Sequence, residues 1–143
     1  MSGATVLQNG RRKAYRPLPA ADRRRAYESA LEAYERGDFF ETHELLEPAW
    51  MGTDDLAERA LHQGLIKLAA AFVHGLRGNP AGIAKNLAGA RGHLASAVGT
   101  PPAGASGLDL AALVDAIDER LACLAADPTD SSIAAPALPR VRR

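Results

Sequence analysis

The segment between Ala60 and Leu76 constrains the fold more than any other part of the chain, because its only formal charge is Lys67. Its apolar residues recur at helical spacing, and a helix so poor in charge must be covered on most of its sides. We therefore predict a central helix over Leu56–Leu76. Its apolar arc is wider than one neighbouring helix needs, which favours a homo-oligomer, most simply a homodimer.

Four other helices are predicted around this central one. A capping box starts the second helix, with Asp38 as the cap and Glu41 three residues later, and Pro48 is expected to kink or break its last turn. The predicted bounds are Ala20–Arg36, Asp38–Trp50, Asn79–Val98 and Asp109–Ala125. No segment shows the sustained alternation that is typical of strands. The sequence predicts an all-α fold, a compact antiparallel bundle of about five helices.

The predicted bundle occupies residues 20–126 as a single domain, which suits a chain of 143 residues. Residues 1–19 are expected to be a flexible basic arm, and residues 127–143 a disordered basic tail. Cys123 is the only cysteine, so we expect no internal disulfide, and its place in an apolar pattern predicts a buried thiol. The chain has neither a signal-peptide pattern nor an apolar run that could span a membrane, so we expect a cytoplasmic protein without a membrane partner.

The zero net charge conceals a segregation of charge along the chain. Residues 1–25 carry seven basic residues and one acidic residue, whereas residues 26–130 carry seven basic and sixteen acidic residues. Nonspecific nucleic-acid binding through Arg11, Arg12, Lys13 and Arg16 is one interpretation of the basic end. No aromatic platform or nucleic-acid motif accompanies these residues. We favour the alternative that the basic ends are solvated or lie on the acidic body of the same chain or of a neighbour.

His43 and Glu47 fall within the apolar sector of the second helix, beside Trp50, and Glu44 lies at the edge of that sector. A carboxylate in a buried sector costs free energy unless it is paired. Because His43 and Glu47 are four residues apart, they can form a hydrogen bond or share a cation. A satisfied structural pair is therefore one interpretation.

The same residues also permit a metal site. The run His43-Glu44-Leu45-Leu46-Glu47 is similar to the helix motif of zinc proteases, with Glu47 in place of the second histidine. In a metal-dependent hydrolase, His43 and Glu47 would be divalent-metal ligands and Glu44 the base. A catalytic zinc needs a third protein ligand, and the candidates are His62, His74 and His93. No other cofactor is predicted.

A polar strip on the central helix supplies the remaining candidates. Gln63, Lys67, Ala70 and His74 follow one another at spacings of four, three and four residues, so they share one face. If this strip faces the second helix, Gln63 and His74 meet His43 and Glu47 in a pocket that could hold a small molecule or ion. The alternative is a solvated strip. His62 lies in the apolar arc and is predicted to be a core or interface histidine.

These motifs together resemble those of the bacterial and archaeal family called domain of unknown function 309, over about residues 30–96. The family pattern falls on Phe40, Glu41, His43, Glu44, Glu47, Trp50, the run Gln63 to Ile66, His74 and Gly82. Pro48 departs from the pattern. The resemblance implies a small all-helical fold and carries no established activity.

The sequence as a whole favours a small helical binding or scaffold protein that self-associates, more than an enzyme. Its candidate binding residues are His43, Glu44, Glu47, Trp50, Gln63 and His74. A metal-dependent hydrolase and a nucleic-acid-associated protein are the alternatives, and the ligand is not identified by any motif.

Overall fold

The structure, a computed structural model, describes residues 5–8 and 11–141, with side chains from residue 15 onward. The helices are α1 (Ala20–Glu35), α2 (Phe39–Met51), α3 (Leu56–Leu76), α4 (Pro80–Ala97), α5 (Pro101–Ala105) and α6 (Leu110–Ala126). The predicted all-α fold is confirmed. The short α5 lies in a segment that the sequence predicts to be a loop.

Two short strands, β1 (Thr5–Gln8) and β2 (Arg11–Ala14), pair antiparallel in the segment predicted to be a flexible arm. They are separated in the sequence by Asn9-Gly10, a residue pair that two-residue hairpin turns favour. After them, the backbone N–H groups of Arg16 and Leu18 donate to the carbonyls of Met51 and Gly52, each at 3.0 Å. The residues just before α1 are thereby attached to the end of α2.

Side-chain caps begin four of the helices, because the first backbone N–H groups of a helix lack partners within it. The Asp38 carboxylate accepts from the Glu41 N–H at 3.1 Å, as predicted. Asp55, Asn79 and Asp109 accept in the same way at the starts of α3, α4 and α6. Pro48 lies inside α2, yet the helix continues through it to Met51.

Helix α3 is the centre of the fold, as predicted, and packs against α2, α4 and α5. Nearly all of its residues from Leu61 to Phe72 are buried, Lys67 and Ala70 being half-buried. The wide apolar arc that favoured a homodimer is thus covered largely by helices of the same chain. Self-association stays a prediction that needs a different surface.

Helices α3 and α4 approach closely at Gly64. A Cβ atom at this position would lie 2.6 Å from the side chain of Leu94 and 3.2 Å from its backbone nitrogen. Leu94 belongs to an apolar stripe of α4, in which Ile83, Leu87, Ala90 and Leu94 are buried, and Val98, just after the helix, is exposed. The absence of a side chain at Gly64 therefore sets the spacing of the two helices.

The C-terminal tail differs from the expectation of disorder. The buried hydroxyl of Tyr34 donates to the Pro136 carbonyl at 2.7 Å, and Leu138 is buried in the core. The Asp109 N–H donates to the Pro139 carbonyl at 2.8 Å. The tail is held by backbone carbonyls and a few apolar side chains, a mode of attachment that its Ser, Ala, Pro and Arg composition does not indicate. Cys123, predicted to be buried, is exposed on α6.

Candidate functional site

His43, Glu44 and Glu47 form a partly exposed group of neighbouring side chains on α2. His43 Nδ1 lies 3.4 Å from Glu44 Oε1, and His43 Nε2 lies 3.8 Å from Glu47 Oε2. The side chains of His43 and Glu47 are 34% and 35% exposed, so the pair is less buried than the sequence predicts. The buried face of α2 is formed by Thr42, Leu46, Ala49 and Trp50. His43 and Glu47 lie at the edge of this face, next to Trp50.

Trp50 and Gln63 are both buried, on α2 and α3 respectively. Gln63 is only 5% exposed, and its amide oxygen Oε1 has no hydrogen-bond partner among the residues that the structure describes. A buried acceptor without a partner costs about 1–3 kcal/mol relative to a satisfied one. Among the predicted binding residues, Gln63 Oε1 is thus the buried polar atom that lacks a described hydrogen-bond partner.

His74 lies at the end of α3 and contacts the start of α4. Its Nδ1 lies 3.2 Å from the side-chain nitrogen of Asn79, and its ring occupies the space that a Cβ of Gly82 would need, 2.5 Å away. His74 therefore packs at the α3–α4 turn, about two turns along α3 from Lys67 and further still from Gln63.

The polar strip of α3 faces a strip of α4 with the same spacing. Gly82, Asn86, Gly89 and His93 lie four, three and four residues apart, like the residues from Gln63 to His74. A Cβ at Gly89 would lie 3.6 Å from the aliphatic chain of Lys67. Burial, and then the nearby positive charge of Lys67, lower the pKa of His93. Lys67 and His93 are thereby neighbours across the two helices.

Helices α2 and α3 are joined by only four residues, 52–55, and they pack antiparallel to each other. The rings of Phe39 and Phe72 are 5.8 Å apart and fix the register. Glu47 lies eight residues after Phe39 on α2, and Gly64 lies eight residues before Phe72 on α3. Because the helices are antiparallel, Glu47 and Gly64 are at the same height. His43 and Glu47 therefore lie at the height of Gln63 and Lys67. We call His43, Glu47, Gln63, Lys67 and His93 the polar groove.

The geometry gives limited support to the metal interpretation. Within the described part of the chain, no group of three or more His, Cys, Asp or Glu side chains is arranged to hold a metal ion. His43 and Glu47 together supply two ligands, whereas catalytic zinc sites have three protein ligands and an open position. The described residues therefore provide a pair that could share a cation and no complete catalytic zinc site.

A second polar cluster joins α1 to α3 and was not anticipated from the sequence. Arg23 donates from Nε and Nη2 to the two carboxylate oxygens of Glu58, at 2.7 and 3.1 Å. His62, buried as predicted, lies with its Nε2 3.0 Å from Glu58 Oε2. Burial alone would raise the pKa of Glu58, but the hydrogen bonds from His62 and Arg23 lower it to about 2.

Several residues of the basic ends already have partners in the same chain. Besides Arg23, Arg24 donates to the Ala105 carbonyl at 2.7 Å, Arg25 pairs with Asp22, and Arg140 pairs with Glu35. Arg16 is exposed. The side chains of Arg11, Arg12 and Lys13, and Arg142 and Arg143 as a whole, lie outside what the structure describes. No described helix combines the length and apolar character that crossing a membrane requires.

The comparisons with known proteins agree with the sequence motifs. A family model described as "Domain of unknown function (DUF309)" matches residues 27–86, a range that contains α2, α3 and every residue of the polar groove except His93. Neither the curated proteins nor the solved structures gave a match. This match supports the resemblance of residues 27–86 to the DUF309 family that the sequence motifs indicate.

Proposed function

We propose that this protein is a binding protein whose small polar ligand lies in the polar groove between α2 and α4. The observation that carries the proposal is Gln63, whose buried Oε1 has no partner among the described residues. A protein tolerates the cost of such a group most readily where a ligand supplies the missing hydrogen bond. Gln63 lies one helical turn from Lys67 on α3 and at the same height along the helices as the His43–Glu47 pair.

The chemistry of the groove restricts the ligand. Gln63 Oε1 accepts a hydrogen bond, so the ligand must carry a donor such as a hydroxyl or amino group. The positive charge of Lys67 favours an anionic group. Glu47 and Glu44 disfavour a ligand with several negative charges, because like charges repel. Small amino acids and hydroxy acids satisfy these requirements together.

Thermal unfolding of the full chain with millimolar glycine, L-glutamate, L-lactate or L-malate tests this proposal. A ligand that binds only the folded state raises the melting temperature. We expect at least one compound to do so in the wild type, and Lys67→Met to abolish the shift. Lys85→Met, which removes an exposed lysine of α4, is the matched control and should respond like the wild type. No shift with any compound, or an undiminished shift in Lys67→Met, would contradict the proposal.

A second candidate function is self-association through the end of the bundle where α2 begins and α3 ends. Phe40 is 59% exposed and Leu76 is 76% exposed. They flank Phe39 and Phe72, whose rings are in contact, so both lie at this end. Two exposed apolar side chains at the same end of the bundle favour an interaction surface there.

Sedimentation equilibrium of the full chain tests this second candidate. We expect a dimer that Phe40→Ser and Leu76→Ser weaken, because each removes apolar contact area. Leu56→Ser, at the opposite end of α3 and equally exposed, is the control and should leave the dimer intact. A monomer at tens of micromolar would exclude the candidate.

A further inference from the structure

A cleft on the other side of α3 is separate from the polar groove. It has a volume of about 480 Å³ and lies between the first turns of α1, the first turns of α3 and the short α5. Clefts that bind small molecules have volumes of roughly 300–1,000 Å³. Its walls are mainly apolar, with Leu61, Pro101 and Pro102 among the contributing residues.

The charged groups in the walls of this cleft are paired with one another or with the backbone. Arg23 and Glu58 form the two hydrogen bonds described above. Arg24 lies over the ring of Tyr27 and donates to the Ala105 carbonyl. Asp55 accepts from the Glu58 N–H at 2.8 Å. A charged ligand would find its potential partners already engaged, so this cleft suits a neutral molecule.

His62 supplies one unsatisfied acceptor among the residues that line the cleft. Its Nε2 lies 3.0 Å from Glu58, whose low pKa keeps the carboxylate ionised and able only to accept. Nε2 therefore donates to this carboxylate, and in the tautomer with a single ring proton Nδ1 is the acceptor. Nδ1 is buried and has no partner among the described residues.

We propose that this cleft binds a neutral, mainly apolar small molecule that donates one hydrogen bond to Nδ1 of His62. Flat heteroaromatic molecules with an N–H group, and phenols, have this chemistry. The site is independent of the polar groove, because it lies between α1, α3 and α5 and shares no residue with that groove.

Titration of the 15N-labelled full chain with indole, followed by NMR, tests the proposal. We expect indole to shift the amide signals of Tyr27, Leu61 and Ser106 and the ring-nitrogen signal of His62. 1-Methylindole, which carries a methyl group in place of the donor hydrogen, should bind roughly five- to tenfold more weakly, the loss typical of one buried hydrogen bond. Indole-3-acetate should bind more weakly still, because its carboxylate has no free partner in the cleft.

Variants at exposed alanines separate this site from binding elsewhere. Ala105→Trp places a large side chain at the edge of the cleft and should abolish the indole shifts, whereas Ala125→Trp, on exposed α6 surface, should not. Neither change removes a buried contact, so both variants should fold. Absence of shifts with indole, or shifts that persist in Ala105→Trp, would overturn the site. Equal affinities for indole and 1-methylindole would overturn the role of His62.

Discussion

Arg23 and Glu58 are 35 residues apart in the sequence, yet two hydrogen bonds join them across the α1–α3 interface. Both side chains are part-buried, and His62 contacts the same carboxylate. Removing one partner of such a part-buried pair leaves the other charge without compensation, so breaking it costs more than breaking an exposed ion pair does.

Glu58→Gln tests the strength of this connection. The amide keeps the shape of the carboxylate and removes its charge, so we expect the free energy of unfolding to fall by about 1–3 kcal/mol. Urea denaturation at neutral pH measures the change. Glu28→Gln removes an exposed carboxylate that lies 3.6 Å from Arg24 and is the matched control, with an expected effect below about 0.5 kcal/mol. If the two substitutions lowered the free energy of unfolding equally, the part-buried pair would contribute no more to stability than the exposed one.

The stability of the protein should depend on pH through Glu58. Its pKa is about 2 in the folded protein against an ordinary value of 4.5. A lowered pKa contributes stability that is present above the ordinary value and is lost as the pH falls towards the folded value. We expect the free energy of unfolding to decline between about pH 4.5 and pH 2. Urea denaturation across this range should show a smaller decline in Glu58→Gln than in the wild type.

Two glycines on facing helices should respond oppositely to alanine. At Gly64 a Cβ would overlap Leu94, so we expect Gly64→Ala to destabilise by about 1–3 kcal/mol. At Gly89 a Cβ would make an ordinary 3.6 Å contact with Lys67, so the better helix propensity of alanine should stabilise by up to about 1 kcal/mol. Thermal unfolding of both variants checks the signs. A stable Gly64→Ala protein would show that α3 and α4 can separate without cost.

Replacing Gln63 with methionine should separate stability from binding. Methionine has a similar volume and lacks the amide oxygen that has no partner, so we expect the unliganded protein to become more stable by about 1 kcal/mol or more. The same variant should lose the ligand-induced rise in melting temperature. A destabilised Gln63→Met protein would indicate that the amide has a structural role.

The attachment of the tail should depend on Tyr34. Tyr34→Phe removes the buried hydrogen bond to the Pro136 carbonyl, and we expect a loss of about 1–2 kcal/mol. Trypsin should then cleave after Arg140 faster than in the wild type, which mass spectrometry can follow. Arg36→Gln, on an exposed residue just after α1, should leave the cleavage rate at this site unchanged.

Local features of the fold were predictable from the sequence, and long-range pairings were not. The cap at Asp38 and the apolar stripe of α4 depend on residues within a few positions of one another. The Arg23–Glu58 pair depends on two helices meeting, and neither residue stands out in its own segment. The attachment of the tail was missed for a related reason, because its backbone carbonyls accept hydrogen bonds from groups such as the Tyr34 hydroxyl and carry no compositional signal.

The positions of the candidate residues along their own helices were predictable from the sequence, and the helices that they face were not. The spacing of Gln63, Lys67 and His74 correctly indicates one face of α3, and helical periodicity suffices for that. It does not indicate which helix that face meets. Contacts with α4 at Gly82 and Gly89 determine the position of His74 and Lys67, and they arise from the close approach of two backbones.

The residues before α1 cap the C-terminal end of α2, through the backbone hydrogen bonds that Arg16 and Leu18 donate. A helix ends with carbonyls that have no partner within it, and these two N–H groups satisfy the carbonyls of Met51 and Gly52. A shortened chain that starts at residue 20 would keep every helix and still lose the cap of the helix that carries His43 and Glu47. The smallest version of this protein suited to studying the groove therefore begins before Arg16.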